Sequence, residues 1–418
     1  MSADRSHLGP DDIAVGLDLG SQGHQAVILA SDGRRLTSFR VDHSRAGLAE
    51  LVRRATPERW HARRAVYAFE ATGHLWEAVA YVLREQGLPY VLVNPLATFR
   101  VREARQMGRD KRDVTDAEQI AHLLRTGMTT RTQLEPEPYL MLRRAWGAFL
   151  RLRKERARLK TLVSHQLYGA FPELLGVWSD IFAPGALAVL RVGLTPFEIA
   201  ALSLCDFASQ VADARRGRRV WRFKVAQAHA HAQSTVALPH GAVPMMREIR
   251  RVIARVDLLS DQMTDLETEI RTLLPTLDEA AYLMTMPGVG WTTVAGVIAE
   301  IGTIDKYRHG RQLVKLAGLN PSRHESGAMR GRTMLSRRGR AGLRTVVYLA
   351  TLAALQHNPR LRAHYDRLRQ REARPLATMP AMVACMNKWL LYAFAVMKRR
   401  EAFQVDHVWR SQPLATAS

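Results

Sequence analysis

The sequence predicts an α/β domain followed by a mainly helical chain. Three features support this prediction. Short apolar runs and turns alternate with helical patterns before residue 130, two long stretches then repeat apolar residues every three or four positions, and a glycine turn leads into an apolar helix after residue 278. At 418 residues the chain is long enough for two or three domains. We predict the α/β domain over 1–130, a helical coiled-coil connector with an insertion over 131–277, a C-terminal domain over 278–400 and a tail over 401–418.

The N-terminal region begins with three strand-like segments. IAVGLDL at 13–19, HQAVILA at 24–30 and LTSFRVD at 36–42 predict an antiparallel meander, with Asp32 and Gly33 in its second turn. The pattern continues with a helix over 47–55, a strand over 64–70, a helix over 74–86, a strand over 90–95 and helical segments as far as Gly127. This βββαβαβα order predicts a mixed sheet flanked by helices, and it matches a ribonuclease H-like fold.

Four acidic residues of this region stand where a site can form. Asp18 ends the first strand in GLDLG and Glu70 ends the fourth in YAFEATG, and the ends of parallel strands meet at one edge of a sheet. Asp113 and Asp116 are three residues apart in GRDKRDVTDAE, so a helix projects both from one face. Four carboxylates repel one another unless divalent cations neutralise them, and oxygen ligands suit Mg²⁺. The pattern therefore predicts a Mg²⁺ site suited to phosphodiester cleavage.

Each of these residues also has a purely structural interpretation. Asp113 and Asp116 are spaced as the N-cap and its partner at the start of the helix DAEQIAHLLRTG. Asp18 alone suits a turn, and Glu70 alone suits the exposed end of a strand. The combination favours a shared site, because the four residues occur in the order that a ribonuclease H-like nuclease requires.

Two seams of apolar residues follow the α/β region. The first is interrupted once and comprises Leu142, Ala145, Phe149, Leu152, Arg156, Leu159 and Val163. The second comprises Ile249, Val252, Val256, Leu259, Met263, Leu266, Ile270 and Leu273 and ends before Pro275. Spacing by three and four is typical of a coiled coil. The two helices can pair as an antiparallel hairpin or with copies in another subunit, and the sequence does not choose between these arrangements.

The segment MPGVGWTTVAGVIAEIG at 286–302 predicts a tight turn before a helix. Its glycines, Gly288 and Gly290, precede small and β-branched residues, as in the second half of a helix-hairpin-helix unit. In such a unit the backbone N–H groups of the turn and the helix N-terminus face a DNA phosphate. The segment lacks the Gly-Lys-Ser/Thr of a nucleotide-binding loop. A plain helix start after a glycine turn is the alternative.

The charge of the chain favours a polyanionic partner. Lys and Arg number 61 against 39 Asp and Glu, a formal net charge of +22, and the excess is clustered at 100–112, 151–160, 215–224 and 330–344. The only two cysteines, Cys205 and Cys385, exclude a disulfide scaffold and a zinc ribbon. We find no apolar run of the roughly 18 residues that a membrane span needs, and we expect no membrane partner and a cytoplasmic location.

Several motifs together resemble one family of mobile-element enzymes. GLDLG, EATG, VNP and KRDVTDAE, followed by MPGVG, AGLNP, ESG and SRRGRAGLR, occur in the order found in transposases of the insertion-sequence 110 family, also called bridge recombinases. The resemblance covers roughly 13–130 and 278–356. It implies a RuvC-like domain with an Asp-Glu-Asp-Asp tetrad that binds Mg²⁺, a coiled-coil connector, and a C-terminal transposase domain with a catalytic serine. Matched by motif, the tetrad is Asp18, Glu70, Asp113 and Asp116.

The same resemblance assigns the serine to Ser326 in HESGAM, with Ser336 in LSRRGR as the alternative. Family members often carry Ser-Ser-Gly where this chain has Glu325 before Ser326, and a Lys near the first Asp where it has Gly20 and Ser21. A serine hydroxyl needs activation to attack phosphorus, and the transition state needs nearby positive charge. The cations available for this role are Arg323, Arg330 and Arg332, while Arg337 and Arg338 are assigned to backbone binding. Without the resemblance, Ser326 and Gly327 suit a turn in a basic loop.

The resemblance further implies a recombinase that cuts and rejoins DNA through a covalent serine–DNA intermediate. The implied partners are donor and target DNA, a noncoding guide RNA that selects them by base pairing, and further copies of the chain in a dimer or tetramer whose subunits share the two catalytic parts. The implied location is the bacterial nucleoid. If the RNA selects the DNA by base pairing, the protein needs only to bind nucleic acid backbones, which suits many arginines without a base-reading module.

Three rival interpretations remain open. A RuvC-like, structure-selective DNA endonuclease would use the tetrad without Ser326 and without a covalent intermediate. An actin-like ATPase or sugar kinase also begins with a strand and Asp-Leu-Gly-Ser, but it expects a second phosphate loop and leaves the +22 charge unexplained. A non-enzymatic nucleic-acid scaffold would tolerate loss of Asp18 and Glu70.

Overall fold

The computed structural model of the chain describes residues 8–71, 74–93, 98, 113–130, 134–217, 221–323, 333–336 and 338–405. The chain divides into two compact units, Met1–Glu135 and Pro136–Ser418. A mixed sheet dominates the first unit and helices dominate the second. The predicted combination of an α/β part and a mainly helical part is therefore confirmed. The predicted boundaries at 130, 277 and 400 stay predictions.

Within its described residues, the first unit is built on a six-stranded mixed sheet. Its strands are β1 (Asp12–Gly20), β2 (Gly23–Leu29), β3 (Arg35–Val41), β4 (Arg64–Glu70), β5 (Tyr90–Val93) and β6 (Thr129–Thr130). They lie in the order β3-β2-β1-β4-β5-β6. The β1–β4 and β4–β5 pairs are parallel, and the other neighbours are antiparallel. The described helices are α1 (Arg45–Arg54), α2 (Leu75–Glu85) and α3 (Asp113–Arg125), with a 3₁₀ turn at Pro57–Trp60.

The predicted meander is confirmed in its turns as well as its strands. Ser21 and Gln22 connect β1 to β2, because Gly20 pairs with Gly23. In the second turn Gly33 has φ +95° and donates its backbone N–H to the carbonyl oxygen of Ala30 at 3.0 Å. The sequence does not predict β6, since two threonines give no strand pattern of their own. The strand order is compatible with the predicted ribonuclease H-like fold.

Both faces of the sheet are covered at β1. Consecutive residues of this strand, from Ile13 to Leu17, are all buried. A strand buried on both faces is continuously apolar instead of alternating, as the sequence of β1 is. On one face, Ala14, Val66, Ala68, Val91 and Val93 pack against Ala117, Ile120, Ala121 and Leu124 of α3. The sheet thereby fixes the position of this helix.

The second unit contains a long helical hairpin. Its arms are α4 (Glu137–Ala170) and α10 (Ala242–Leu273), which pack against each other in opposite directions. Arg255 of α10 donates to Glu155 of α4 at 3.0 Å, and the N–H of Leu238, just before α10, donates to the carbonyl oxygen of Gly169 near the end of α4. The two predicted seams therefore pair within the chain, which answers the question that the sequence left open.

In the described parts of 171–241, five short helices connect the arms of this hairpin. They are α5 (Leu174–Val177), α6 (Pro184–Val192), α7 (Pro196–Ala201), α8 (Leu204–Asp213) and α9 (Arg222–Ala232). Their apolar residues join one buried cluster with the distal parts of the two seams, including Leu159, Val163, Val252 and Val256. The region between the seams is thus a folded helical cap on the hairpin.

A second buried cluster occupies the other end of the hairpin. Seam residues such as Leu142, Phe149 and Ile270 pack there with Val297, Trp389 and other residues that follow position 278. The elements of this part are α11 (Asp278–Met284), α12 (Trp291–Ile301), α13 (Gly310–Leu316), β7 (Pro321–Arg323), β8 (Thr333–Leu335), α14 (Ala341–His357), α15 (Pro359–Gln370) and α16 (Thr378–Arg399). Strands β7 and β8 pair antiparallel.

Helix α16 corrects the expectation that no segment reaches the length and hydropathy of a membrane span. An 18-residue window of this helix has a mean hydropathy of 1.3, with half of the window buried inside the protein. Asn387 and Lys388 interrupt the apolar run, and counting unbroken runs therefore missed it. Cys385, Trp389 and Leu390 of α16 lie in the buried cluster, as expected for the core helix of a globular unit.

Candidate active site

Asp18 and Glu70 lie at the same end of two neighbouring central strands, β1 and β4. The parallel register of β1 and β4 pairs Asp12 with Arg64 and continues to Leu17 with Phe69. The next step of this register places Asp18 beside Glu70. Both residues stand on the face that carries Ala14, Val66 and Ala68, because successive side chains of a strand alternate between faces. Two of the four predicted acidic residues are therefore neighbours on the face covered by α3.

Gly16 allows α3 to approach this face closely. A Cβ atom at this position would lie 2.1 Å from the carbonyl oxygen of Ala117 and 2.6 Å from the backbone nitrogen of Ala121. Only glycine leaves room for the helix backbone at this contact. Asp18 is two residues further along the same strand, on the same side of the sheet as this contact.

The direction of α3 brings its first turn towards Asp18. Arg125, the last residue of α3, donates from Nε to the carbonyl oxygen of Ser31 at 3.1 Å. Ser31 follows β2, whose end lies beside the start of β1 through the Ala14–Leu29 pair. Helix α3 therefore runs antiparallel to β1, so that its N-terminal turn lies towards the end of β1. Asp113 and Asp116 both belong to that turn.

The burial of these residues differs. Asp116 is only 4% exposed, whereas Asp18 and Glu70 are half-buried, and all three make polar or electrostatic contacts. The side chain of Asp113 lies outside the described part of the structure. Among the side chains that are described, no three from His, Cys, Asp and Glu are grouped closely enough to hold a metal ion. The donor set that these elements carry consists only of carboxylate oxygens, which suits a hard divalent cation.

A histidine pair on the other face of the sheet was not found by sequence reasoning. His24 of β2 pairs with Leu19 in register, and its Nε2 lies 2.9 Å from Nδ1 of His43. Burial, together with the charge of His43, lowers the pKa of His24 to about 4. His24 is therefore neutral at pH 7, and it adds no positive charge beside the acidic edge. The signal in the sequence was a histidine on a strand face whose other residues, Ala26 and Ile28, are apolar.

The glycine turn lies between α11 and α12 as predicted. Gly288 has φ +78°, and a Cβ there would come within 2.9 Å of the carbonyl oxygen of Ala353 in α14. Gly290 precedes α12 as its N-cap, and a Cβ at this position would meet no atom within 4 Å. The first glycine is thus required for conformation and packing, while the second leaves the helix N-terminus open to a ligand. Phosphate binding by this turn stays a prediction.

The predicted serine region is only partly described. Ser326, Arg330, Arg332 and Arg337 lie outside the described residues, as does the side chain of Arg323, whose backbone ends β7. Arg338 is exposed. The alternative serine, Ser336, donates from Oγ to Oδ1 of Asn320 at 2.8 Å, and its N–H donates to the carbonyl oxygen of Asn320. These two bonds give Ser336 a structural role at the end of β8.

Two family models match this chain. One describes the DEDD-type transposase of IS110 elements and matches residues 15–172. The other describes transposases of the IS116/IS110/IS902 family and matches residues 280–366. The first match contains nearly all of the sheet and the predicted tetrad, and the second contains the glycine turn and the predicted serine. Together the two matches cover more than half of the chain.

Curated relatives agree with the family models. The chain is 26% identical over 356 residues to an uncharacterised protein of insertion element IS116 from Streptomyces clavuligerus, covering 85% of this chain and 88% of the relative. It is 30% identical over 118 residues to the transposase for IS1111A from Coxiella burnetii, covering 28% of this chain and 32% of the relative. A pilin gene-inverting protein from Moraxella bovis is 26% identical over 150 residues, covering 34% of this chain and 46% of the relative.

The two family models and the curated relatives identify the class of protein, an enzyme that acts on DNA. The matches are to transposases along both units. The chain belongs to the IS110 family of transposases.

Proposed function

We propose that this transposase cuts and rejoins DNA strands at a RuvC-like site made by Asp18, Glu70, Asp113 and Asp116. The observation that supports the proposal is the register of β1 and β4: continued by one residue beyond Leu17 and Phe69, it pairs Asp18 with Glu70, on the face covered by the helix that begins with Asp113. A ribonuclease H-like assignment of the first unit is supported by the strand order and by the pattern of parallel and antiparallel neighbours. The proposed limits of this domain are 1–130.

The four carboxylates are proposed to hold divalent cations, with Mg²⁺ as the physiological ion. Bound divalent cations at such a site supply positive charge beside the scissile phosphate. Asp116 is almost completely buried and makes polar or electrostatic contacts, and its carboxylate oxygens are ligands that suit a hard divalent cation. Asp18 and Glu70 are half-buried.

Ser326 is proposed as the nucleophile, on the strength of the family resemblance. In the cleavage step a bond forms between Ser326 Oγ and phosphorus, the bond from phosphorus to the leaving sugar oxygen breaks, and the serine proton ends on that oxygen. Rejoining reverses these changes with a different strand. Arg323, Arg330 and Arg332 would stabilise the charge of the transition state.

The rest of the second unit is proposed to bind nucleic acid backbones. Gly290 leaves open space at the N-terminus of α12, where backbone N–H groups and the helix dipole favour a phosphate. Arg337 and Arg338 follow β8 in the same part of the chain. The +22 net charge supports backbone contacts with donor and target DNA. A noncoding guide RNA is proposed to select both, by family resemblance.

Assembly into a dimer or tetramer is proposed on the same grounds, but not through the seams. Seam residues such as Val163, Ile249 and Val252 are buried within the hairpin of a single chain. Contacts between subunits therefore have to use other surfaces than those seams, which changes the means of assembly that the sequence suggested.

The proposal is tested by replacing each described carboxylate without changing its size. Asp18→Asn, Glu70→Gln and Asp116→Asn should each lower strand cleavage of a labelled element junction at least about 100-fold, since even residues behind a metal ligand cost 10- to 100-fold when removed. Asp11→Asn is the matched control, because Asp11 is exposed at the opposite end of β1. Wild-type cleavage by Asp18→Asn would refute the proposed site.

A second experiment separates the recombinase from the endonuclease alternative. On a nicked junction substrate, the wild-type protein should form a covalent protein–DNA adduct that survives denaturation, and Ser326→Ala should form none. Ser336→Ala should retain the adduct, since Ser336 is bonded to Asn320. Strand cleavage that persists in Ser326→Ala without an adduct would instead identify a structure-selective nuclease.

A further inference from the structure

A cavity of about 620 Å³ lies between the helical hairpin and its helical cap. Its lining residues come from α4, from α10, and from α6 and the cap turns on either side of it. Pockets that hold small organic ligands span about 300–1,000 Å³. The cavity therefore has room for a ligand of the size of a nucleotide.

The two arms of the hairpin give this cavity walls of opposite chemistry. Among the described lining residues, those of α4 include three cations and no carboxylate: Arg153, Arg156 and Lys160. Those of α10 include no cation, and its polar members are Asp257, Ser260, Asp261, Thr264 and Glu267. One wall therefore attracts negative charge, and the other offers oxygen atoms.

The two hydroxyl groups of the α10 wall are acceptors towards the cavity. Ser260 Oγ donates to the carbonyl oxygen of Val256 at 2.7 Å, and Thr264 Oγ1 donates to the carbonyl oxygen of Ser260 at 3.0 Å. A hydroxyl has a single proton to donate, so only the lone pairs of these two oxygens remain for a ligand. Together with the carboxylates, they match a ligand that carries hydroxyl or amino donors.

Ion pairs between the hairpin and the cap hold the walls in place. They are Lys160–Asp180 at 2.6 Å, Arg191–Asp257 at 2.6 Å and Arg216–Asp261 at 3.0 Å. Arg191 binds both carboxylate oxygens of Asp257, and the two side chains are only 17% and 15% exposed. The cavity is thus formed before any ligand enters, which lowers the cost of binding.

Three arginines of the lining are left without such a partner. In the part of the chain that the structure describes, the side chains of Arg153, Arg156 and Arg215 make no hydrogen bond and no ion pair. The pKa of Asp180 is lowered chiefly by the hydrogen bond from Lys160, and Arg156 adds to this only through its charge. Arg156 is also half-buried at a seam position, where an uncompensated cation is costly. An anionic ligand in the cavity would compensate it.

The charge of the lining matches a phosphate monoester. Six cationic side chains against four carboxylates leave two positive charges. A phosphate monoester carries about two negative charges at pH 7, and arginine guanidinium groups match the geometry of its oxygens. Hydroxyl groups on the same ligand can donate to the α10 wall, where Glu267 forms no ion pair among the described residues either.

The carboxylates of the lining distinguish this cavity from a path for a nucleic acid chain. A groove that follows a nucleic acid backbone is positively charged along its length. Here α10 places three carboxylates along one side, between Asp257 and Glu267. These would repel successive phosphates of a strand, whereas a ligand with one phosphate can turn its other end towards them.

We propose that this cavity binds a small phosphorylated sugar, either free or as part of a nucleoside monophosphate. Arg153, Arg156 and Arg215 bind the phosphate, and the oxygens of Ser260, Thr264 and Glu267 accept hydrogen bonds from the hydroxyl groups of the sugar. This ligand is distinct from the nucleic acids and the cations of the proposed function. Its site gives a role to the helical cap, to which the sequence assigned none.

Isothermal titration calorimetry on the full-length protein tests the proposal with ribose 5-phosphate, inorganic phosphate and ribose. Ribose 5-phosphate should bind saturably, with one site per chain, and at least about tenfold more tightly than inorganic phosphate, because it also donates to the α10 wall. Ribose alone should show no measurable binding. Adenosine 5′-monophosphate is compared with ribose 5-phosphate, and the tighter of the two identifies the source of the phosphorylated sugar.

Variants assign the binding to the cavity. Arg156→Gln should weaken the binding of ribose 5-phosphate and of inorganic phosphate by at least about tenfold, since hydrogen bonds from a charged donor are lost. Arg215→Gln should act in the same direction, and it leaves the packing of the seams untouched. Glu267→Ala should reduce the preference for ribose 5-phosphate without weakening inorganic phosphate. Arg158→Gln is the matched control and should bind as the wild type does, because Arg158 is an exposed residue of α4 outside the lining.

Hydrogen exchange locates the ligand independently. Amides of 153–160 and 256–267 should exchange more slowly when ribose 5-phosphate is bound to the wild type, and this protection should be absent in Arg215→Gln. The proposal is overturned if ribose 5-phosphate does not bind saturably, if inorganic phosphate binds as tightly, or if Arg156→Gln and Arg215→Gln both bind as the wild type does. It is also overturned if an oligonucleotide of twelve thymidines displaces ribose 5-phosphate and itself binds more weakly to Arg215→Gln, since the cavity would then belong to a nucleic acid surface.

Discussion

Gly16 offers a direct way to disturb the proposed active site without touching a carboxylate. In Gly16→Ala the new Cβ would lie 2.1 Å from Ala117 O, 2.6 Å from Ala121 N and 2.9 Å from Ala121 Cβ. Ordinary carbon contacts lie at about 3.5–4.0 Å, so α3 has to move away from the sheet by about 1 Å or more. The three atoms belong to the helix backbone or its first side-chain carbon, and none can rotate aside.

The size of the effect follows from this geometry. Overpacking of a core costs about 1–3 kcal/mol and occasionally more, and we expect the upper end because a whole helix must shift. A loss of about 3 kcal/mol lowers the melting temperature of a domain of this size by roughly 10 °C. The displacement should also open the contacts of α3 with Ala14 and Ala68, and move Asp116 away from Asp18 and Glu70.

Hydrogen exchange measured by mass spectrometry on the full-length protein checks this prediction. Amides of α3 and β1 should exchange faster in Gly16→Ala, while amides of α4 and α10 in the other unit should not change. The rate of strand cleavage should be lower in Gly16→Ala, because the variant that loses protection in α3 also displaces Asp116. Gly176→Ala is the control, because a Cβ at Gly176 would meet no atom within 4 Å. Wild-type protection of α3 in Gly16→Ala would refute the packing argument.

Two further predictions concern charge in the first unit. Asp12 is almost completely buried and accepts hydrogen bonds from Arg64 Nε at 2.7 Å and from the N–H of Gly9 at 2.6 Å. Because Arg64→Ala leaves this buried charge without its cation, it should lower the free energy of unfolding in urea by about 3–5 kcal/mol. An unchanged urea midpoint would contradict this account. The pKa of His24 falls from 6.5 to about 4 on folding, so the folded state binds a proton at His24 less readily than the unfolded state. The contribution of the neutral form to the free energy of unfolding is complete above pH 6.5 and is lost as the pH falls towards 4, by at most about 3 kcal/mol. Unfolding midpoints between pH 7 and 4.5 should therefore fall more steeply in the wild type than in His24→Asn, and equal slopes would show that His24 is not the titrating group.

The sheet was predictable because its local signals agree with its tertiary structure. The strand that ends at Glu70 has the predicted bounds, and the apolar run of β1 reports burial on both faces. β6 was not predictable, since its two threonines are held only by pairing with Leu92 and Val93. Pairing partners are set by the fold and leave no pattern in so short a segment.

The placement of the site was predictable only in part. Strand ends pointed to Asp18 and Glu70, but a single sequence does not display the register of β1 and β4 or the close approach of α3 at Gly16. The same limit applies to the hairpin. Arg156 was visible as an interruption of the first seam, but only the structure shows that it lines a cavity together with residues of α10. Trp221 and Phe223 were visible as apolar residues, and only the structure distinguishes them from core residues.

The convergence of the carboxylates is tested most directly by cleavage of the protein itself with bound iron. Fe²⁺ substituted for Mg²⁺ reduces added hydrogen peroxide to hydroxide and a hydroxyl radical, ascorbate returns the resulting Fe³⁺ to Fe²⁺, and the radicals cut the backbone close to the metal. The proposed site predicts cuts near residues 18, 70 and 113–116 in the wild type, and their joint disappearance in Asp18→Asn. Cuts confined to one of these three segments, or three sets of cuts that respond independently to the substitutions, would contradict a shared metal site.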